Sequence, residues 1–214
     1  MPSEDIQTMI FRLPLLLLAL PIHEFAHGFA AYKLGDYTAK QDGRLSFNPL
    51  RHLDLIGTIL ILRFGFGWAK PVMVNPAYLK NPKRDMAIIS FSGPLSNFIL
   101  AFVSWMILYP IWVHLSNSGA DTSMVNYFDR FAAINIGLGV FNMLPLPPLD
   151  GSKVFSAILP DKWYNAVMRV NTNYMMLVVM ILAATGALSY VIFPLIEAVT
   201  GAYLTLVTKI YFFL

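Results

Sequence analysis

Apolar residues run along this chain in long blocks, not in the short alternating patterns of a soluble sheet. The first block extends from Ile6 to Leu34 and is broken by polar residues only near its ends and at His23, Glu24 and His27. It exceeds the ~20 residues a bilayer crossing needs, so it predicts a first transmembrane helix. A secretory signal is the competing reading, but Glu4 and Asp5 stand where a basic region belongs, and no small-residue cleavage pattern follows. Further blocks predict spans over Met86 to Trp112, Phe131 to Leu144 and Tyr174 to Leu188. A last block, Val191 to Leu214, is interrupted by Pro194, Glu197 and Lys209 and reads equally as a tilted span or an interfacial helix.

Between the first two spans, Gly35 to Asp85 carries turn signals and short β-favouring runs, Arg44-Leu-Ser-Phe and Lys70-Pro-Val-Met-Val. Its one apolar piece, Leu55 to Leu62, is too short to cross and fits either a re-entrant element or a buried loop hairpin. The pattern therefore predicts an all-α polytopic membrane protein. It is a bundle of about five (four to six) transmembrane helices, with short β-strand or re-entrant elements between the first and second spans, and residues 1–214 form one domain.

Composition agrees. Of 214 residues, 57% are hydrophobic and 13% charged, against roughly 25% charged in an ordinary soluble domain. The net charge of +3 comes from scattered lysines and arginines, not from a block able to neutralise a run of phosphates, so nucleic acid is not an expected partner. With no cysteine, disulfides, thiolate nucleophiles and cysteine-based zinc sites are excluded, and any metal must be held by histidine and carboxylate. Nine of the fifteen basic residues lie between Lys33 and Arg84 and three between Lys153 and Arg169, while the connection from His114 to Arg130 holds only Arg130. By the positive-inside rule the first and third connections face the cytoplasm and the second faces outside.

The chemistry begins at His23-Glu24-Phe25-Ala26-His27, an HExxH sequence. Histidines at i and i+4 share one helix face at the spacing that reaches a single Zn²⁺, with Glu24 beside it. A hydrogen-bonded polar pair is the bland alternative, but three ionisable groups within five residues of a membrane segment are costly and by default functional. Catalytic zinc usually takes three protein ligands, so one carboxylate is missing. Asp150 and Glu197 are candidates, whereas Asp36, Asp42 and Asp54 read as solvated loop acids. Asp150 is the better placed: Pro145, Pro147 and Pro148 forbid a continuous helix before it, and Gly151 lets the backbone turn or approach another group closely. A simple helix cap near Ser152 is the alternative for Asp150. Pro21 either bends the first helix or is a tolerated membrane proline. Counting from Met9, His23 lies 14 residues into its span, about 21 Å at 1.5 Å per residue, which is the cytoplasmic third of a ~30 Å core.

Three motifs together, HExxH in the first span, Gly93-Pro-Leu-Ser-Asn97 in the second, and Asn142 followed eight residues later by Asp150-Gly151, resemble the site-2 protease family of intramembrane zinc metalloproteases. Gly43-Arg-Leu-Ser-Phe-Asn-Pro-Leu and Gly67-Trp-Ala-Lys-Pro-Val resemble connectors of its small prokaryotic members, which have neither a PDZ nor a CBS domain. The resemblance implies that His23, His27 and Asp150 bind one Zn²⁺ and that Glu24 is the general base. It also implies that Asn142 holds substrate or its oxyanion, and that Asn97 supports the site. The expected reaction is hydrolysis of a peptide bond in or near the transmembrane segment of a membrane-protein substrate, in a prokaryotic cell membrane with the site toward the cytoplasm.

The strand-like pieces Leu45 to Asn48 and Val72 to Val74 are expected to hold that substrate extended by edge pairing. Trp68, Lys70 and Tyr78 read as interfacial anchors ahead of substrate contacts, and His52 and His114 as surface or interface residues, not ligands. The rival function is a divalent-cation transporter or channel using the same His23, Glu24, His27 and Asp150 cluster. The chain shows no obvious internal repeat to support it.

Overall fold

The computed structural model describes residues 6–54, 57 and 69–213. The candidate re-entrant piece, apart from Gly57, and Trp68 lie outside these residues. All regular structure among the described residues is helical. The longer helices are α1 (Ile6–Lys33), α3 (Pro82–Ser118), α4 (Ser123–Asn142), α7 (Thr172–Ala184) and α8 (Ser189–Phe213); the short ones are α2 (Thr38–Gln41), α5 (Asp150–Ser156) and α6 (Asp161–Met168). The chain divides into two compact units, residues 1–93 and 94–214.

In the first unit, α1 runs unbroken through Pro14 and Pro21. It stops in a Schellman turn: Gly35 takes φ +105°, and the Asp36 N–H donates to the Ala31 carbonyl at 2.9 Å. Ala31, Leu79, Met86 and Ile89 form the buried cluster that seats the opening turns of α3 on the end of α1. The start of α3 follows its own chemistry. Pro82 occupies the first helical position, and the Asp85 carboxylate reaches back to accept the Asn81 N–H at 2.9 Å. The loop between the two helices uses one device twice. Asn48 and Asn75 each precede a proline and accept the N–H two residues on, at 3.1 and 3.0 Å, starting the 3-10 turns Pro49–Arg51 and Pro76–Tyr78.

No strand forms among the described residues, which corrects the expected β elements. At 44–48 the backbone is satisfied locally, with the Ser46 N–H on the Arg44 carbonyl and the Asn48 N–H on the Ser46 hydroxyl. At 70–75 the chain has no regular structure: Pro71 has no N–H and the Val72 N–H donates to a side chain, so no ladder develops.

In the second unit, Ala101 and Trp105 of α3 pack with Ala132, Ile136 and Val140 of α4 and Val207 of α8. Gly139 permits the approach of α4 to α3, since a Cβ there would stand 2.7 Å from the Phe98 ring. After α4 the proline run breaks the helix as expected, and Leu144 and Leu149 pack with Val179 of α7 and Leu188.

By length and composition α1, α3 and α8 can cross a membrane, and the pair α6 and α7, bent by 81°, makes a fourth if it counts as one span. Three or four candidates among the described residues do not confirm the expected number of about five (four to six). The helix at the predicted third span starts earlier, at Ser123, carries Asn126, Asp129, Arg130 and Asn135, and is not among them. The predicted fourth span is only the 13 residues of α7, about 20 Å against a ~30 Å core. The terminal block, by contrast, is one helix of 25 residues. Only 17% of the apolar window of α3 and 6% of that of α8 is buried, so their outward surfaces are apolar, as lipid contact requires.

Candidate metal centre

His23 and His27 lie one turn apart on α1, so both imidazoles leave the same face. They are buried, at 5% and 9% exposure. Their Nε2 atoms are 3.0 Å apart, with the rings nearly perpendicular. The His27 Nδ1–H donates to the Ile89 carbonyl at 2.7 Å, which fixes the tautomer and leaves Nε2 as the ligand atom. Two nitrogens bound to one tetrahedral zinc at ~2.0–2.1 Å sit about 3.3 Å apart. The pair is therefore close to the spacing that a shared ion imposes.

Gly93 explains how α3 passes beside this pair. A Cβ at residue 93 would overlap the His27 ring and lie 2.7 Å from His23 Cε1. Only a bare α-carbon leaves both rings in place.

Glu24 follows His23 and is half-buried. Its Oε2 accepts the Val72 N–H at 3.0 Å. The segment bearing Val72 is pinned on both sides, by the Lys70 N–H on the His52 carbonyl at 2.7 Å and the Asn75 N–H on Asp36 Oδ2 at 2.6 Å. Asp36 also accepts the Thr38 N–H and hydroxyl. Asp36 is 0% exposed and His52 1%, so neither is the solvated or surface residue expected from sequence. The His52 ring bonds the Ser46 carbonyl through Nε2. Both residues fix the segment 70–75, His52 through its carbonyl and Asp36 through its carboxylate.

Asp150 opens α5 in its first turn; the N-cap is Leu149, which makes no side-chain cap bond. A Cβ on Gly151 would collide with the backbone oxygens of Met143 and Leu144. The glycine thus serves close approach, folding α5 back on the proline turn. Among the described residues, His23 and His27 of the first unit and Asp150 of the second are donors of the kind that could hold a metal ion. A donor set of two imidazoles and one carboxylate fits zinc. Glu197, the other candidate acid, is exposed on α8.

The remaining candidates are spread more widely. Asn142 ends α4 half-buried, its amide donating to the Leu138 carbonyl at 3.0 Å. Asn97 is 0% exposed and donates to Asn135 Oδ1 at 2.8 Å, while Asn135, also 0% exposed, donates to the Phe131 carbonyl. Asn135 was not foreseen, although an amide in an apolar helix is itself a signal of a polar partner. The Val74 side chain packs against the cluster at the end of α1. Lys70, Tyr78 and His114 are exposed.

The chain is 39% identical over 198 residues, 92% of its length and 90% of the relative's, to the Bacillus subtilis (strain 168) protein named "Putative zinc metalloprotease YwhC". A Methanocaldococcus jannaschii relative of the same description, MJ0611, is 30% identical over 72% of this chain and 73% of its own. Rip2 of Mycolicibacterium smegmatis, again so described, is 28% identical over 84% and 69%. No solved structure matches significantly. The family described as "Peptidase family M50" matches residues 109–185, the stretch that carries Asn142 and Asp150. With that match and a 39% identity sustained along nearly the whole of both chains, the protein belongs to peptidase family M50, the site-2 protease family, and is a zinc metalloprotease.

Proposed function

We propose that the protein cuts a peptide bond in or near the transmembrane segment of a membrane-protein substrate, as one functional domain whose site faces the cytoplasm. His23, His27 and Asp150 hold the single zinc ion. The observation that carries this reading is the pair of buried imidazoles on one face of α1, their Nε2 atoms 3.0 Å apart, in a protein whose longest helices are apolar enough to cross a bilayer. The cytoplasmic orientation rests on the nine basic residues between Lys33 and Arg84.

Zinc bound there supplies Lewis acidity, lowering the pKa of a water and polarising the scissile carbonyl. Glu24 takes the proton of the attacking water and delivers it to the leaving amine. The Val72 N–H holds the Glu24 carboxylate, directing one oxygen and leaving the other for proton transfer. Asn142, whose amide has a second hydrogen beyond the one given to Leu138, donates to the developing oxyanion. Asn97 acts as a positioning residue through its bond to Asn135. A carbonyl within a helix is already hydrogen-bonded, so the substrate must unwind locally before attack. The segment containing Val72 and Val74 receives the unwound strand, a hypothesis motivated by its anchoring beside Glu24.

The decisive experiment compares metal content and cleavage of a reconstituted transmembrane peptide for the native protein, Glu24→Gln and Asp150→Ala. Glu24→Gln keeps its zinc and loses cleavage by at least about 10²-fold, the scale of general-base catalysis. Asp150→Ala loses zinc. Full zinc retention by Asp150→Ala ends the ligand assignment, and full activity of Glu24→Gln ends the mechanism.

A further inference from the structure

Within the second unit lies a cavity of about 300 Å³, lined by residues of α3, α4 and α8. Its walls include Trp105, Tyr109 and Trp112 of α3 together with Asn126 and Asp129 of α4. The Trp105 indole N–H donates to Asp129 Oδ1 at 2.8 Å, which orients the carboxylate. Asp129 has no ion-pair partner among the described residues, and Oδ2 has no hydrogen bond there. The aromatic wall is braced from behind: Tyr109 stacks on Tyr211 at 5.5 Å, and the Tyr211 hydroxyl donates to the Met106 carbonyl. Trp112 lies beside Tyr109, centroids 6.5 Å apart and tilted by 33°.

This combination selects a ligand class. An apolar cavity alone would take an acyl chain, and a carboxylate without ring faces would take a hydrated inorganic cation. Ring faces around one uncompensated carboxylate fit an organic ammonium group, held by cation–π attraction and a charge-assisted hydrogen bond. Position narrows the source. Trp105, Tyr109 and Trp112 lie toward the C-terminal end of α3, a helix long and apolar enough to cross a bilayer, and such an end falls near headgroup level, where tryptophan and tyrosine concentrate. The apolar windows of α3 and α8, two of the helices lining the cavity, are only 17% and 6% buried inside the protein. Asp129 is exposed, so its carboxylate is open to a ligand that enters the cavity.

We propose that this cavity binds the ammonium headgroup of an aminophospholipid, with Asp129 Oδ2 accepting from the ammonium and Tyr109 and Trp112 covering it. The proposal is independent of the zinc chemistry.

The test exposes the full-length protein in detergent to an equimolar mixture of phosphatidylethanolamine and phosphatidylglycerol, and reads retained lipid by native mass spectrometry. The native protein retains phosphatidylethanolamine preferentially. Asp129→Asn keeps the acceptor for Trp105, preserving the fold, and lowers that retention about tenfold without changing phosphatidylglycerol. Trp112→Leu lowers it in the same direction. Equal retention of the two lipids by the native protein overturns the proposal, as does unchanged retention in Asp129→Asn. If instead Asp129→Asn weakens only cleavage of a peptide bearing a lysine at the outer end of its transmembrane segment, the occupant is substrate and the lipid assignment falls.

Discussion

A single missing methyl group at residue 93 lets α3 run beside the two histidines, and the cost of restoring it is readable. Gly93→Ala puts a Cβ within 3 Å of both imidazoles, forcing ring rotation or helix displacement of the kind that costs ~1–3 kcal/mol in a packed interior. The expected result is at least a tenfold loss of zinc affinity with helix content unchanged, measured by metal analysis and circular dichroism. At this scale the histidine pair and Glu24 were legible in the sequence, because i, i+4 neighbours meet by helix geometry alone. Asp36 and His52 were not. What buries Asp36 includes Asn75, 39 positions away, and what places His52 is the return of the chain at Lys70. A polar residue in a loop looks solvated until the path of that loop is known.

At the scale of elements, the segment 70–75 and the α3–α4 contact carry the most specific consequences. Val72→Pro removes the N–H that holds Glu24, in a segment without regular structure, where proline breaks no helix or ladder bond. The expected outcome is a fall in kcat of about tenfold or more with zinc content unchanged, since a misdirected base affects the transition state more than binding. Equal cleavage by native and variant protein would remove both the positioning role and the docking of substrate on this segment. The buried Asn97–Asn135 bond predicts a different quantity. A double-mutant cycle with alanine at both positions should give a coupling of about 0.6–1.7 kcal/mol in unfolding, the range found for hydrogen bonds between membrane helices. Helix starts and stops were largely legible: Pro82, the proline run after Asn142 and Gly35 are local signals. The strands failed because β pairing needs a partner, and the available N–H groups went to side chains and local turns.

At the scale of the whole molecule, charge distribution makes a prediction that the lack of cysteine renders easy to check. A single cysteine introduced at Lys80 in intact cells should resist a membrane-impermeant maleimide, while one at Ser118, at the end of α3, should be labelled from outside. The reverse pattern would place the site on the other face of the membrane. Apolar blocks do not by themselves count crossings, because a block of residues says how much surface is hydrophobic and not whether the helix inside it is straight. The bend of 81° between α6 and α7 is the example.

By itself, the sequence determined a helical membrane protein of the site-2 protease type, with two imidazoles and a glutamate on one helix. Periodicity, composition and short motifs act over a turn or two, and that is as far as such information reaches. Only the tertiary structure decided that Gly93 clears the rings of His23 and His27 and that Glu24 is held by Val72. Both depend on contacts between residues 48 to 70 positions apart, whose meeting is set by how the intervening chain packs.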